Sequence, residues 1–170
     1  MVELGVAADA GTLPRPTLGP VATVGVGRGR WRAALLGAYW TSQSATLSSS
    51  PTGADFDAWS VEGRVEHGWS FGPFVVGPLV GAGLESIHGA GINGTVANND
   101  RRAFDGVVVA GGFATWRPGG AIGLRLDLGG LARLSQPTFY VAEPPPLANS
   151  LVFQPPTAAA RASFGADVVF

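Results

Sequence analysis

Few side chains in this sequence are equipped for chemistry. Ser86 and His88 stand two positions apart, so on an extended strand they share a face. A serine beside a histidine is the minimum for acyl transfer, because the imidazole accepts the hydroxyl proton as the oxygen attacks. No acid is identified on the same face, and a histidine beside glycine at a segment end is more commonly a loop residue. Ser86 and His88 are therefore the catalytic candidates of a chain from which no enzymatic role is expected. Glu62, Arg64 and Glu66 alternate along one stretch. The two glutamates would lie about 13 Å apart on a strand, beyond the roughly 5–9.5 Å of a glycosidase pair. Arg64 between them reads as a charge bridge. With two distant histidines and no cysteine, no metal site is expected. Gly81-Ala-Gly83 and Gly89-Ala-Gly91 lack the lysine and following helix of a phosphate loop, so no cofactor is expected.

The composition narrows the setting. Only 14% of the 170 residues are charged while 46% are hydrophobic, against roughly 25% charged in ordinary soluble domains. Gly (26) and Pro (13) break every apolar run. No stretch of about 18 apolar residues exists, which excludes a transmembrane helix. A net charge of −1 with no lysine speaks against nucleic acid. Disorder is excluded by the apolar content. A membrane-like composition without a membrane helix leaves a closed β-barrel.

Period-2 alternation marks eight segments, at 2–10, 18–27, 30–42, 57–69, 73–87, 103–116, 121–135 and 158–170. In 121–135, Ile122, Leu124, Leu126, Leu128, Ala132 and Leu134 oppose Gly123, Arg125, Asp127, Gly129, Arg133 and Ser135. Two features turn the apolar face outward. The polar faces mix signs at close range, which suits a narrow lumen filled by paired charges. That lumen set is Glu3, Asp9, Glu62, Arg64, Glu66, Arg125, Asp127, Arg133, Arg161 and Asp167. In addition, aromatic residues gather at segment ends. Trp59 and Trp69 lie ten residues apart on one face, spanning about 25 Å on a tilted strand, the height of an outer-membrane apolar band. Trp31, Tyr39, Trp59, Trp69, Phe104, Trp116 and Phe170 form the expected aromatic girdle, with all five tryptophans near strand ends. His67 is expected outward beside Trp69.

Connections alternate in length. Short turns at 28–29, 70–72 and 117–120 alternate with long connections at 11–17, 43–56, 88–102 and 136–157. Bacterial barrels show this pattern, with short periplasmic turns and longer extracellular loops. Arg101 and Arg102, placed in the third long loop, suit lipopolysaccharide phosphates or simple solvation. The last loop carries Phe139, Tyr140, Pro144–Pro146 and Phe153 and reads as an ordered contact surface. The expected architecture is all-β: one domain over 1–170, an eight-stranded antiparallel up-and-down transmembrane barrel. A soluble lipocalin-like barrel or a β-sandwich is the alternative fold.

The pattern resembles the small eight-stranded bacterial outer-membrane barrels of the OmpA/OmpX type, across essentially the whole chain. Its sharpest local element is the ending Phe164-Gly-Ala-Asp-Val-Val-Phe170. Phe164, Val168 and Phe170 resemble the C-terminal signal of such proteins, although an aromatic is common where Val168 stands. The resemblance implies recognition by the barrel-assembly machinery, no cofactor, and contact with outer-membrane lipid and lipopolysaccharide. It also implies an outer-membrane location, with a signal peptide or preceding domain ahead of this chain. A monomer is expected. The functional expectation is a structural or surface-interaction protein with a charge-plugged lumen. A small porin-like channel and an outer-membrane lipid-modifying enzyme acting through Ser86 and His88 are the alternatives. Family members that deacylate lipid carry the histidine before the serine, the reverse of the order here.

Overall fold

The computed structural model describes residues 1–46, 53–92, 101–142 and 149–170. The barrel strands are β1 (Val2–Ala10), β2 (Thr17–Arg28), β3 (Trp31–Thr46), β4 (Gly53–His67) with its short continuation β5 (Trp69–Phe71), β6 (Phe74–Ile92), β7 (Arg101–Trp116), β8 (Ile122–Arg133) and β11 (Ala158–Val168). Each pairs antiparallel with its neighbours, β1 pairs with β11, and the pairing of β4 with β6 completes the ring. Counting β4 and β5 as one strand, this is a closed eight-stranded up-and-down barrel. A separate hairpin, β9 (Phe139–Ala142) with β10 (Asn149–Phe153), interrupts the connection from β8 to β11.

The barrel is inside-out. On β8, Ile122, Leu124, Leu126 and Leu128 are exposed while Arg125, Asp127 and Arg133 are buried. On β1, Leu4 and Val6 face outward while Glu3 and Asp9 are buried. A strand side chain has only two directions to choose from. Alternation therefore delivers one residue set to the outer surface and the other to the lumen.

At one end the turns are tight. Gly29 and Gly72, at φ 63° and 59°, open the two-residue turns Gly29–Arg30 and Gly72–Pro73, where glycine takes the positive φ without steric cost. These turns lie one or two residues beyond the positions expected from sequence. At the other end the strands run past the expected limits. β3 and β4 reach Thr46 opposite Gly53, and β6 reaches Ile92. The stretch from Gln43 reads as loop in sequence, yet Gln43, Ser44, Ala45 and Thr46 pair with β4 beyond a bulge. Arg101 and Arg102 stand inside β7, opposite Gly89 and His88, not in a loop. Pro144–Pro146 lie outside the described residues.

Two prolines interrupt the ladder. Pro78 sits opposite His67 and has no N–H to donate, which separates β4 from β5 although the register runs on from Glu66↔Leu79 to Trp69↔Val76. Pro20 has the same effect on β2, whose pairing with β3 begins only at Val21. Side chains bridge that gap. Thr17 Oγ1 lies 3.2 Å from Thr41 Oγ1, and Gln43 Nε2 donates to the Pro16 carbonyl at 3.1 Å.

Small residues make room where strands crowd the lumen. A Cβ on Gly83 would lie 2.8 Å from Glu62 Cα and 2.9 Å from Glu62 Cγ. The variant Gly83→Val is expected to lose about 1–3 kcal/mol through overpacking, read as a lower urea midpoint for the folded barrel. The same change at Ala82, on the outer face, is expected to leave the midpoint nearly unmoved.

Candidate functional site

The lumen holds the chain's concentrated polar chemistry. Its centre is Arg161 from β11. Arg161 Nε donates to Asp9 Oδ2 at 2.7 Å, and its two terminal nitrogens pair with Glu62 and Glu85. One guanidinium thus collects carboxylates from β1, β4 and β6. Glu62 is shared with Arg64 at 2.8 Å, and Arg64 reaches Asp127 at 3.3 Å. Asp127 passes the chain of charge to Arg125 at 2.7 Å, and Arg125 meets Glu66 at 3.0 Å and Glu3 at 3.4 Å. Glu66 also pairs with Arg32 at 2.5 Å. At the other side Glu85 accepts from Arg133 at 2.6 Å, while Arg133 also donates to Thr12 Oγ1 and the Pro156 carbonyl. These are charge-assisted bonds among buried groups, where removing one partner leaves an uncompensated ion.

Two aromatic rings floor and roof this network. The Arg161 guanidinium lies 4.9 Å from the Trp40 ring centre, and that of Arg125 lies 4.3 Å from Phe113. Both distances suit cation–π attraction, which strengthens once the cation is desolvated.

All ten lumen candidates face inward. Their pairing differs in one respect from expectation. Arg64 bridges Glu62 to Asp127, not to Glu66, because Glu66 lies further along the strand, where Arg125 and Arg32 meet it. Sequence reasoning also passed over Glu85, Asp105, Arg32 and Arg117. Glu85 sits on β6, whose inward positions Gly77, Gly81 and Gly83 give no polar alternation to read. Asp105 accepts from the backbone and hydroxyl of Ser135, and Arg117 reaches Asp167 from a turn.

Toward the long-connection end the lumen becomes apolar. Trp40, Phe56, Ile87, Leu36 and Leu13 are buried together, and Phe139, Val152 and Phe153 of the hairpin pack on them. The Phe56 ring lies 5.1 Å from both Phe139 and Phe153. This corrects two expectations. Trp40 does not belong to the outer girdle: it is 1% exposed and points inward, since adjacent Tyr39 takes the outward position. Phe139 and Phe153 are not part of a contact surface but a cap over the mouth. Tyr140 and Leu151 remain exposed.

On the outer surface, Trp31, Trp69, Trp116 and Phe170 lie at the short-turn end, and Tyr39, Trp59 and Phe104 lie toward the other. His67 packs edge-on between Trp31 and Trp69, at 4.6 and 4.9 Å. Phe164 and Phe170 are exposed, with Val168 on the same face of β11.

Ser86 and His88 share the outer face, and the structure supplies an acid that sequence could not. Asp57, directly opposite His88 on β4, has its Oδ1 2.8 Å from His88 Nδ1. The hydroxyl, however, is not in place for catalysis. Ser86 stands between Trp59 and Phe104 in the cross-strand register, and those rings approach to 6.1 Å over it. Ser86 is 0% exposed and its Oγ makes no hydrogen bond. A nucleophile needs both its base and its substrate within reach, and Ser86 has neither.

No family model matches the chain, and no curated relative matches it in sequence. Solved structures do match in fold. A major outer membrane protein from Thermus thermophilus superimposes with a TM-score of 0.70 at 16% identity, covering 100% of both chains. Ail, the attachment invasion locus protein of Yersinia pestis, gives 0.58 at 13% identity over 99% of this chain and 96% of its own. Neisserial surface protein A gives 0.55 at 16% identity over 99% and 94%. The fold is that of the small outer-membrane β-barrels.

Replacing Arg161 with methionine would leave Asp9, Glu62 and Glu85 short of a shared cation. It is expected to destabilise the barrel by about 3–5 kcal/mol in urea titrations. Adding Glu62→Gln is expected to recover part of that loss, and strict additivity would mean that the two groups are not coupled.

Proposed function

We propose that this protein is a closed outer-membrane barrel, an anchor that presents its long-connection end to the outside and conducts nothing. The observation that carries this reading is the filling of the lumen. Buried ion pairs occupy its middle, and the cluster of Trp40, Phe56, Phe139 and Phe153 stoppers one end. A water-filled path needs a polar bore from mouth to mouth, as wide porins have. Here the space beside Trp40, Arg161 and Asp127, between the network and the cap, measures about 20 Å³. That is room for about one water.

Membrane residence is supported by the exposed band of Leu4, Val6, Leu35, Leu126 and Leu128 between two aromatic rows, the profile of a barrel wall in lipid. The fold likeness to outer-membrane proteins, among them an attachment protein and a surface protein, supports the surface-interaction role. Within this reading Arg101 and Arg102, exposed at the start of β7, meet lipopolysaccharide phosphates, to which arginine forks are matched. Phe164 and Val168 on the outer face of β11, with Phe170 just beyond it, serve as the signal for the barrel-assembly machinery. The barrel acts as a monomer.

In planar bilayers the purified barrel is expected to give no stepwise conductance at about 100 mV, a typical membrane potential. Discrete, reproducible steps would overturn the closed-lumen reading and favour a small channel. Leu126→Arg, in the middle of the outer band, is expected to cost about 2–4 kcal/mol of stability in lipid vesicles, and Val26→Arg near the short-turn rim about 0–1 kcal/mol. Equal costs at the two positions would argue against a lipid-facing wall.

A further inference from the structure

The lumen is stoppered at one end and hollow at the other. On the short-turn side of Arg125 and Glu66 lies a cavity of about 520 Å³, within the roughly 300–1,000 Å³ of small-molecule sites. Glycine makes the space. Along the inner face of β2, Val21 and Thr23 are buried fillers, but the next two inward positions are Gly25 and Gly27, both lining the hollow. Gly68 does the same across the mouth. A Cβ there would lie 2.8 Å from Val75 Cγ1 and 3.4 Å from Phe113 Cζ.

The charge around this space is unbalanced, unlike the network above it. Arg30, Arg32, Arg117 and Arg125 line it against Glu66 and Asp167, while Glu3 and Asp127 meet Arg125 from the network side. Its arginines also have donors left over. Arg125 is 1% exposed, yet its Nη1 has no hydrogen-bond partner, and the buried Nε atoms of Arg32 and Arg117 have none either; on the carboxylate side Glu66 Oε2 and Asp167 Oδ1 are likewise without one. Buried donors without acceptors cost free energy, the more so when they belong to a cation. These three arginines line one hollow from β3, β8 and the turn after β7. Phe113 braces two of the forks, with Arg125 4.3 Å and Arg32 5.7 Å from its ring centre. Guanidinium groups held rigidly and outnumbering the carboxylates of the lining are matched by the oxygens of a carboxylate or phosphate.

We propose that this vestibule binds a small, multiply charged oxyanion entering from the short-turn end, with Arg32, Arg117 and Arg125 as its ligands. The blind floor formed by Arg125 and Glu66 makes it a binding pocket rather than the entrance to a pore. Whether the barrel also serves as a surface anchor does not bear on this site, which lies at the opposite end from the hairpin cap.

Calorimetric titration of the detergent-folded barrel, in a buffer free of oxyanions, tests the site with inorganic phosphate in one arm and citrate in the other. Saturable binding at one site per chain is expected, and the tighter arm tells whether tetrahedral phosphate or carboxylate geometry is preferred. Arg117→Gln is expected to weaken binding at least ten-fold, and Gly27→Leu, which fills the hollow, to abolish it. Arg15→Gln at the far end should leave it unchanged. Heat-modifiable gel migration checks that each variant is folded. Absence of saturable binding in both arms, or binding that survives Arg117→Gln and Gly27→Leu in folded protein, would overturn the proposal.

Discussion

The structure depends on one constraint: charge sealed inside a narrow barrel must find its counter-charge across the lumen. An ion in such a space cannot turn to bulk water, and its desolvation is offset only by close, well-aligned partners. The arrangement around Arg161 and Arg125 answers that constraint strand by strand. It explains why inward glycines flank Glu62 and Arg64, since long paired side chains need the volume. It also explains why two rings on the lumen side, Trp40 and the half-buried Phe113, lie against guanidinium planes. The outer wall follows from the same alternation, because each polar residue turned inward sends its neighbours outward.

The lumen is graded along its length. Aromatic and aliphatic side chains close one end, ion pairs hold the middle, and glycine leaves the other end open. The closed end coincides with the longer connections and the hairpin of β9 and β10, so the cap belongs to the end that the proposed orientation turns outward. A barrel built this way separates its tasks. The ion pairs tie the strands together, the cap packs apolar side chains across one end, and the open end is lined by more arginines than carboxylates.

Much of this was legible where the two faces of a strand differ in polarity. β8 declares itself through Leu124, Arg125, Leu126 and Asp127, and β1, β4 and β11 do nearly as well. Legibility failed where both faces are apolar or where one is glycine. On β3, Leu35 and Tyr39 point out while Leu36 and Trp40 point in, and nothing in their types tells the two apart. On β6 the inner face is mostly glycine, which hid Glu85. The acid beside His88 was hidden for a different reason. Asp57 is 31 positions away, and only the cross-strand register, which depends on the whole ring, brings it alongside. The apolar cap was missed because aromatic residues in a long connection look the same whether they fold inward or outward.

The distances in sequence between the lumen's partners have a bearing on how the barrel is made. Arg161 and Asp9 are 152 positions apart, Arg133 and Thr12 are 121, and Arg161 and Glu62 are 99. Contacts of such long range form late, after the loop-closure entropy has been met. An incomplete sheet lacking β11 would hold Asp9, Glu62 and Glu85 without their shared cation, and its β1 edge would be unpaired. Such an intermediate has little stability of its own, so assembly approaches an all-or-none event. The final strand then does more than close the ring: by bringing Arg161 it makes the interior electrically tolerable, and a chain interrupted before that point is marked as unfinished by its own uncompensated charge.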